Sequence, residues 1–234
     1  MTVEHPPLLE TGIYTIPEAA ELVAAERAVV RVWVEGRGEK QEPVIDNQIG
    51  RIDRKVAVSF TNLMELRFVA CFANAGVRLN EIRRVLDEAR RLLRHPHPFA
   101  TNVVFKTDGK KIVAELLTKA VGKNGERTDL LDLKSKNFEM AIIVMQTLKE
   151  DVKFDPKGEA IYWKPRPTIA PNVIVHPMYA FGKPVLKASR IPTETLARAY
   201  KAEGSLGAVA NSYEVSEAQV REAVSFEKHL RKAA

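Results

Sequence analysis

Few side chains in this chain have a type and spacing suited to covalent or metal chemistry. His95-Pro-His97-Pro is its one close histidine pair. A zinc site needs three or four convergent nitrogen, sulfur or oxygen ligands, and this pair has no third ligand nearby and is stiffened by proline, so no metal is expected. Cys71, the single cysteine, lies on the apolar side of a helical stripe and reads as a small core residue. His176 precedes Pro177 and reads as a loop-ordering residue. The sequence contains no GxSxG, P-loop, HExxH or GxGxxG pattern, so nucleophile-elbow, nucleotide and zincin chemistries have no support. No catalytic residue, no cofactor and no enzyme activity are expected. Trp33, Trp163, Tyr162 and Tyr179 offer faces for base stacking but lie in apolar runs of the kind that build cores.

What remains is binding chemistry carried by charge. The net charge is +6 and the isoelectric point about 9.4, a balance that favours an anionic partner. The excess is unevenly placed: residues 1–60 hold 7 Lys+Arg against 10 Asp+Glu, whereas residues 61–100 hold 7 against 4. A nucleic-acid contact in the front of the chain therefore needs a local cluster, and Arg27, Arg31, Arg51, Arg54 and Lys55 supply one. Arg31 is the best placed to reach a base edge, with Arg51, Arg54 and Lys55 holding phosphates. The alternative is an ordinary surface on which these charges pair with Glu26, Glu35 and Asp53.

The elements that must position this cluster follow from spacing. Pro17 stands at a first helical position, Thr15 and Glu18 have capping-box spacing, and Ile16, Ala19, Ala20 and Val23 form one apolar stripe. Residues 29–34 suit a strand by propensity, while a helix ending at Gly36 puts Val30, Trp33 and Val34 on one face; propensity leaves both open. Residues 42–60 predict two short strands around a basic turn. Two helices follow, over about 62–75 and 80–94. The first turns Leu63, Leu66, Val69 and Phe72 inward, and the second carries a stripe of Leu79, Ile82, Val85, Leu86, Ala89, Leu92 and Leu93. The arginines of its other face, Arg83, Arg84, Arg90, Arg91 and Arg94, read as solvated and paired with Glu81, Asp87 and Glu88.

Further along, Thr107-Asp108-Gly109 and Asp155 to Gly158 each sit between alternating runs and predict hairpins, with a helix or buried strand over 137–148. Pro165, Pro167 and Pro171 mark a linker at 164–172. In the tail, Leu206, Val209, Ala210 and Tyr213 share a helical face, Gly204 stops the helix before it, and Ser216 with Gln219 forms a capping box that opens the last helix. This predicts a compact three-helix unit of helix-turn-helix type, with 216–229 as its recognition helix and Gln219 and Arg221 among the early exposed positions. Self-association through these helices is equally open.

At 234 residues the chain exceeds one typical domain, and 45% hydrophobic with 28% charged residues is a globular balance. The division expected is 1–97, 98–170 and 171–234. No apolar run approaches the roughly 20 residues that cross a bilayer, the first residues lack a signal-peptide pattern, and a lone cysteine excludes an internal disulfide framework. A cytoplasmic protein with no membrane partner is expected.

Two resemblances bear on function. YTIPEAAEL followed by VRVWV, then FTNLMELRFVACFANAGVRLNEIRRVLDEAR, resembles the opening of the MerR-like winged helix-turn-helix proteins, with Ala24, Ala25 and Glu26 replacing the usual glycine turn. That resemblance favours a helix over 29–35. Residues from Asn172 onward resemble the domain-of-unknown-function family 433, whose members include VapB-type antitoxins. The landmarks are His176-Pro177, Gly182-Lys183-Pro184, Arg190-Ile191-Pro192, Gly204 and Tyr213. The fold implied is α+β: a winged helix, a central β-hairpin region and a C-terminal three-helix unit. The function implied is a DNA-binding antitoxin of a type II toxin-antitoxin pair that represses its own operon and masks a nuclease-like toxin. Its partners would be double-stranded DNA, the cognate toxin and a second copy of the chain, with Lys183 and Arg190 on an exposed basic turn facing the toxin. A protein-binding or assembly module without DNA contact is the second reading.

Overall fold

The computed structural model describes residues 11–38, 41–74, 76–102 and 151–232. Among them are seven α-helices and two β-sheets, the mixed α+β class that the sequence predicts. The chain forms two compact units, one from residues 1–30, 47–63 and 161–234, the other from 31–46 and 64–160. The first unit thus joins the front of the chain to its tail, a partition that differs from division along the sequence. The hairpin expected at Thr107-Asp108-Gly109 and the element expected over 137–148 lie outside the described residues.

In the first unit, strand β1 (Ile13–Thr15) runs directly into helix α1 (Ile16–Val23). The switch from strand to helix is set by Thr15. Its Oγ1 accepts from the Glu18 N–H at 3.4 Å, and the Thr15 N–H donates to Glu18 Oε2 at 2.8 Å, the reciprocal box anticipated from spacing. Ile16, Ala19, Ala20 and Val23 are buried, so the helix has an apolar underside. Ala24 closes it at φ 55° and ψ 51°, a left-handed position usually left to glycine. After the turn Ala24-Ala25-Glu26 begins helix α2 (Arg27–Glu35), which resolves residues 29–34 as helix rather than strand.

Strands β2 (Gly50–Ile52) and β3 (Lys55–Ser59) pair antiparallel, with β3 central in the order β1-β3-β2. Tyr14 stands opposite Val58, and Ile52 opposite Lys55. Ser59 ends β3 and caps helix α3 (Phe60–Asn74) through its Oγ, which accepts from the Asn62 N–H at 3.0 Å. Later in the chain, β5 (Ala160–Trp163), β6 (Val173–Val175) and β7 (Pro184–Leu186) lie in that order and pair antiparallel. Helices α5 (Thr193–Glu203), α6 (Leu206–Ser212) and α7 (Glu217–Lys232) follow. Gly204 ends α5 at φ 69°, and the Ser216 N–H donates to Gln219 Oε1 at 2.9 Å to open α7, both as predicted. Leu196, Val209, Val220, Ala223 and Phe226 form the helical core, and α7 packs on α5, on α6 and also on α1.

The second unit is built on α3 and α4 (Leu79–Leu93). Every residue of α3 from Asn62 to Ala70 is buried, including Glu65 and Arg67. The predicted stripe of Leu63, Leu66, Val69 and Phe72 is therefore only part of its buried surface; α3 is a central helix enclosed on all sides. Phe68 stacks on Phe99 with centroids 3.5 Å apart and contacts Phe72 at 4.3 Å. On α4 the stripe is buried from Ile82 to Ala89, but Leu92, predicted inward, is 49% exposed because the last turn runs beyond the core that covers the rest. The strand β4 (Val152–Phe154) leads into the turn at Asp155, whose Oδ1 accepts from the N–H groups of Gly158 at 2.6 Å and Glu159 at 2.9 Å.

Candidate functional site

The β2–β3 hairpin gathers three of the predicted site residues. Arg51, Arg54 and Lys55 are exposed on it, and Arg54 occupies the two-residue tip with Asp53. Both tip residues have positive φ, 47° at Asp53 and 63° at Arg54, which is the backbone of a type I′ turn. Asparagine and glycine suit those positions; an arginine there is strained by roughly 1–2 kcal/mol. The hairpin thus holds a long cation at its apex in a conformation that the residue itself disfavours.

Arg27 and Arg31 are exposed on α2, four residues apart and so on one helical face. Neither is without a partner. Arg27 Nη2 lies 2.7 Å from Glu21 Oε1, and Arg31 Nε lies 3.7 Å from Glu35 Oε2. The pairing of Arg31 with Glu35 is the one the alternative surface reading names, whereas Arg27 takes Glu21 rather than Glu26. Exposed pairs of this kind contribute only about 0.2–1 kcal/mol, so a phosphate can displace either carboxylate.

On α7, Arg221 is exposed, while Gln219 is half-buried with its carbonyl oxygen engaged in the cap of Ser216. Lys183 and Arg190 are both exposed on either side of β7, each with its own partner. Lys183 Nζ lies 3.3 Å from Glu194 Oε2. Arg190, at φ 59°, places its guanidinium 4.5 Å from the centre of the Tyr179 ring. The same ring stacks on His176, with centroids 4.0 Å apart and planes 14° apart. His176 Nδ1 accepts the Met178 N–H at 3.1 Å, which fixes the loop after Pro177. Burial first, and then the charge of Arg190, lowers the His176 pKa, so this ring stays neutral near pH 7. Sequence reasoning missed this His176–Tyr179–Arg190 stack. Its signal was two family landmarks, His176 and Arg190, whose shared partner Tyr179 no spacing rule connects to both. Trp33 and Trp163 are buried core residues, while Tyr162 is half-buried under Lys187, whose Nζ lies 3.0 Å from the Tyr162 hydroxyl.

The histidine pair serves packing. His97 is buried with Nδ1 3.0 Å from Glu65 Oε2, and Arg90 Nη2 stands 3.6 Å from the other carboxylate oxygen. His95 Nδ1 accepts the His97 N–H at 3.0 Å. No cluster of three or more metal-ligating side chains occurs among the described residues. Cys71 is half-buried, and burial raises its thiol pKa against the pull of Arg67, away from a reactive thiolate.

These elements define a mixed α+β protein in which the front helix α1 and a basic hairpin share one compact unit with a helical tail. Residues 173–226 match the family model described as "Protein of unknown function (DUF433)", which bears out the resemblance read in the tail. Over 232 residues the chain is 24% identical to the "Putative antitoxin VapB45" of Mycobacterium tuberculosis (strain ATCC 25618 / H37Rv), covering 92% of this chain and 93% of that protein. Its fold is similar to the crystal structure of Rv2018 from Mycobacterium tuberculosis, with a TM-score of 0.71, 21% identity, and coverage of 91% of this chain and 96% of the other. No helix among the described residues is long and apolar enough to cross a membrane.

Proposed function

We propose that this protein is a DNA-binding antitoxin: a homodimeric regulator that represses its own operon through the front winged helix and neutralises a nuclease-like toxin. The observation that carries the DNA half is the β2–β3 hairpin, which presents Arg51, Arg54 and Lys55 in solvent with Arg54 at a strained apex. Such a wing suits phosphate contacts that fix register, and α2, with Arg27 and Arg31 on one exposed face, suits the major groove. The antitoxin half is supported by the likeness to the VapB45 protein over nearly the whole of both chains. Lys183 and Arg190 are the cations proposed to face the toxin, and Gln219 with Arg221 the second candidate DNA surface. The protein acts in this reading without a cofactor, a metal or catalysis, in the cytoplasm.

The test is a titration of wild type and the Arg31→Ala, Arg54→Ala and Lys55→Ala variants against operator and random duplex at two salt concentrations. Loss of Arg31 lowers operator affinity by about 1–3 kcal/mol and relaxes sequence preference. Loss of Arg54 or Lys55 weakens all duplexes alike and lowers the salt slope by about one unit each. Four proteins that bind identically remove the wing as the reader and leave α7 as the candidate. Co-purification with the product of the adjacent gene tests the antitoxin half.

A second reading, an assembly module without DNA contact, is favoured by one observation: both arginines of α2 already hold carboxylates, Glu21 and Glu35. Absence of duplex binding at low salt supports it.

A further inference from the structure

In the first unit a cleft of about 100 Å³ opens between α1 and the loop before β7. Its walls include Ile13, Leu22, Pro184 and Leu230, all apolar. Phe181 stands at its rim and is 67% exposed, and nearby Met178 is 60% exposed, so two large apolar side chains lie in water in one short loop. The backbone holds Phe181 there against its preference. Ala180 and Phe181 have φ of 46° and 57°, and only the third residue of the left-handed run is glycine, Gly182 at 90°. Strained display of an exposed aromatic side chain is characteristic of a contact surface.

Charge specifies the occupant. One wall of the cleft is acidic, with Glu18 and Glu21 on α1; the other carries Lys183. A surface with an apolar knob, an apolar hole, an acidic edge and a basic edge complements itself under a two-fold rotation, which brings each knob to the other copy's hole and each basic edge to the other copy's acidic edge. We infer that Phe181 and the cleft beside it form a two-fold interface between copies of this chain, each copy's Phe181 entering the other's cleft and each Lys183 facing the other's Glu18 and Glu21. Lys183 leaves Glu194 to do so, and Glu21 is shared with Arg27, exchanges between surface ion pairs of similar strength. This rests on the homodimer proposed above and names the face that forms it; with Lys183 taken up in the two-fold, Arg190 is the cation left to face the toxin.

Sedimentation of the full chain over a dilution series tests it, with far-UV circular dichroism and operator binding measured on each variant. Phe181→Ser removes a side chain that is 67% exposed, so the fold persists and the dimer weakens by at least about tenfold. Lys183→Glu alone and Glu21→Lys alone each set like charges across the two-fold and weaken self-association. An equimolar mixture of these two variants restores much of it as a heterodimer, because one half of the interface again sets Lys183 against Glu18 and Glu21, and in the other the substituted positions 183 and 21 again carry opposite charges, leaving only Glu18 against a like charge. A monomeric wild type, a Phe181→Ser dimer as tight as wild type, or a mixture no tighter than its components overturns the inference. The readouts stay separate: a Phe181→Ser chain that remains dimeric and binds operator sinks this face and leaves the DNA reading standing.

Discussion

Arg166 clamps the last turn of α1, 144 residues before it in the chain: its Nη1 donates to the Leu22 carbonyl at 2.9 Å and its Nη2 to the Glu21 carbonyl at 3.0 Å. Carbonyls at a helix C-terminus have no partner within the helix, and a guanidinium satisfies them while opposing the negative end of the dipole. The proline-rich stretch that reads as a linker is therefore docked, with Pro165 and Ala170 buried. Replacing Arg166 with Met keeps much of the stem and removes the clamp, and is expected to lower stability by about 2 kcal/mol, as for hydrogen bonds from a charged donor. Urea unfolding with an unchanged m-value checks this; a change within experimental error would show the clamp to be incidental.

Tyr14 is buried with a hydroxyl that has no hydrogen-bond partner. Burial and then the charge of Glu18 raise its pKa, so the phenol stays protonated through the ordinary range. Tyr14→Phe removes an unsatisfied group and is expected to raise stability by about 1 kcal/mol. A Cβ on Gly182, at φ 90°, would lie 2.5 Å from that hydroxyl and 2.8 Å from the ring carbon bearing it. Gly182→Ala is therefore strongly destabilising, and Tyr14→Phe relieves it only in part, since the ring carbon remains. Melting temperatures of the two single variants and the double variant decide the matter.

His176 makes the first unit acid-sensitive. Its folded pKa lies below the ordinary value of about 6.5, so below that pH the unfolded chain binds the proton more readily and the folded state loses stability as pH falls. Arg190→Gln removes the second cause, brings the folded value nearer the unfolded one and flattens the acid limb. NMR titration of the His176 ring in both proteins measures the shift directly; no upward movement in the variant would count against the stack as an electrostatic unit.

The hairpin apex yields a prediction of opposite signs. Arg54→Gly relieves the left-handed strain and is expected to stabilise the protein by roughly 1 kcal/mol, while lowering affinity for every duplex. Thermal denaturation and DNA titration on the same sample check both. A gain in stability with unchanged DNA binding would mean that the strained arginine has another task.

Glu65 is a fully buried anion of the second unit, facing His97 on one oxygen and Arg90 on the other. Glu65→Ala leaves buried donors without an acceptor and is expected to lower stability by about 3–5 kcal/mol. Replacement by Gln keeps one acceptor and loses less. Equal losses from the two variants would assign the effect to packing.

Local structure was legible wherever a few adjacent residues decide it. Thr15 with Glu18, Ser216 with Gln219, Gly204 and the Asp155 turn each act within four residues, and each appears as spacing predicts. Residues 29–34 were not legible by propensity, since β-branched residues serve a strand or a buried helical face equally; only the family pattern favoured the helix. The burial of Glu65 and Arg67 was invisible for a related reason: their partners, His97 and Asp151, lie far along the chain.

The sequence by itself determined the α+β class, the caps and turns, the apolar faces, the basic hairpin and the resemblance carried by the tail, because these depend on neighbours in the chain. Tertiary structure alone decided that front and tail share one unit, that Arg166 ends α1, that Tyr179 receives both His176 and Arg190, and that Phe181 stands exposed beside a cleft. The physical reason is common to all four. Each depends on bringing together segments that no spacing rule connects, so it arises only when the whole chain has closed around it.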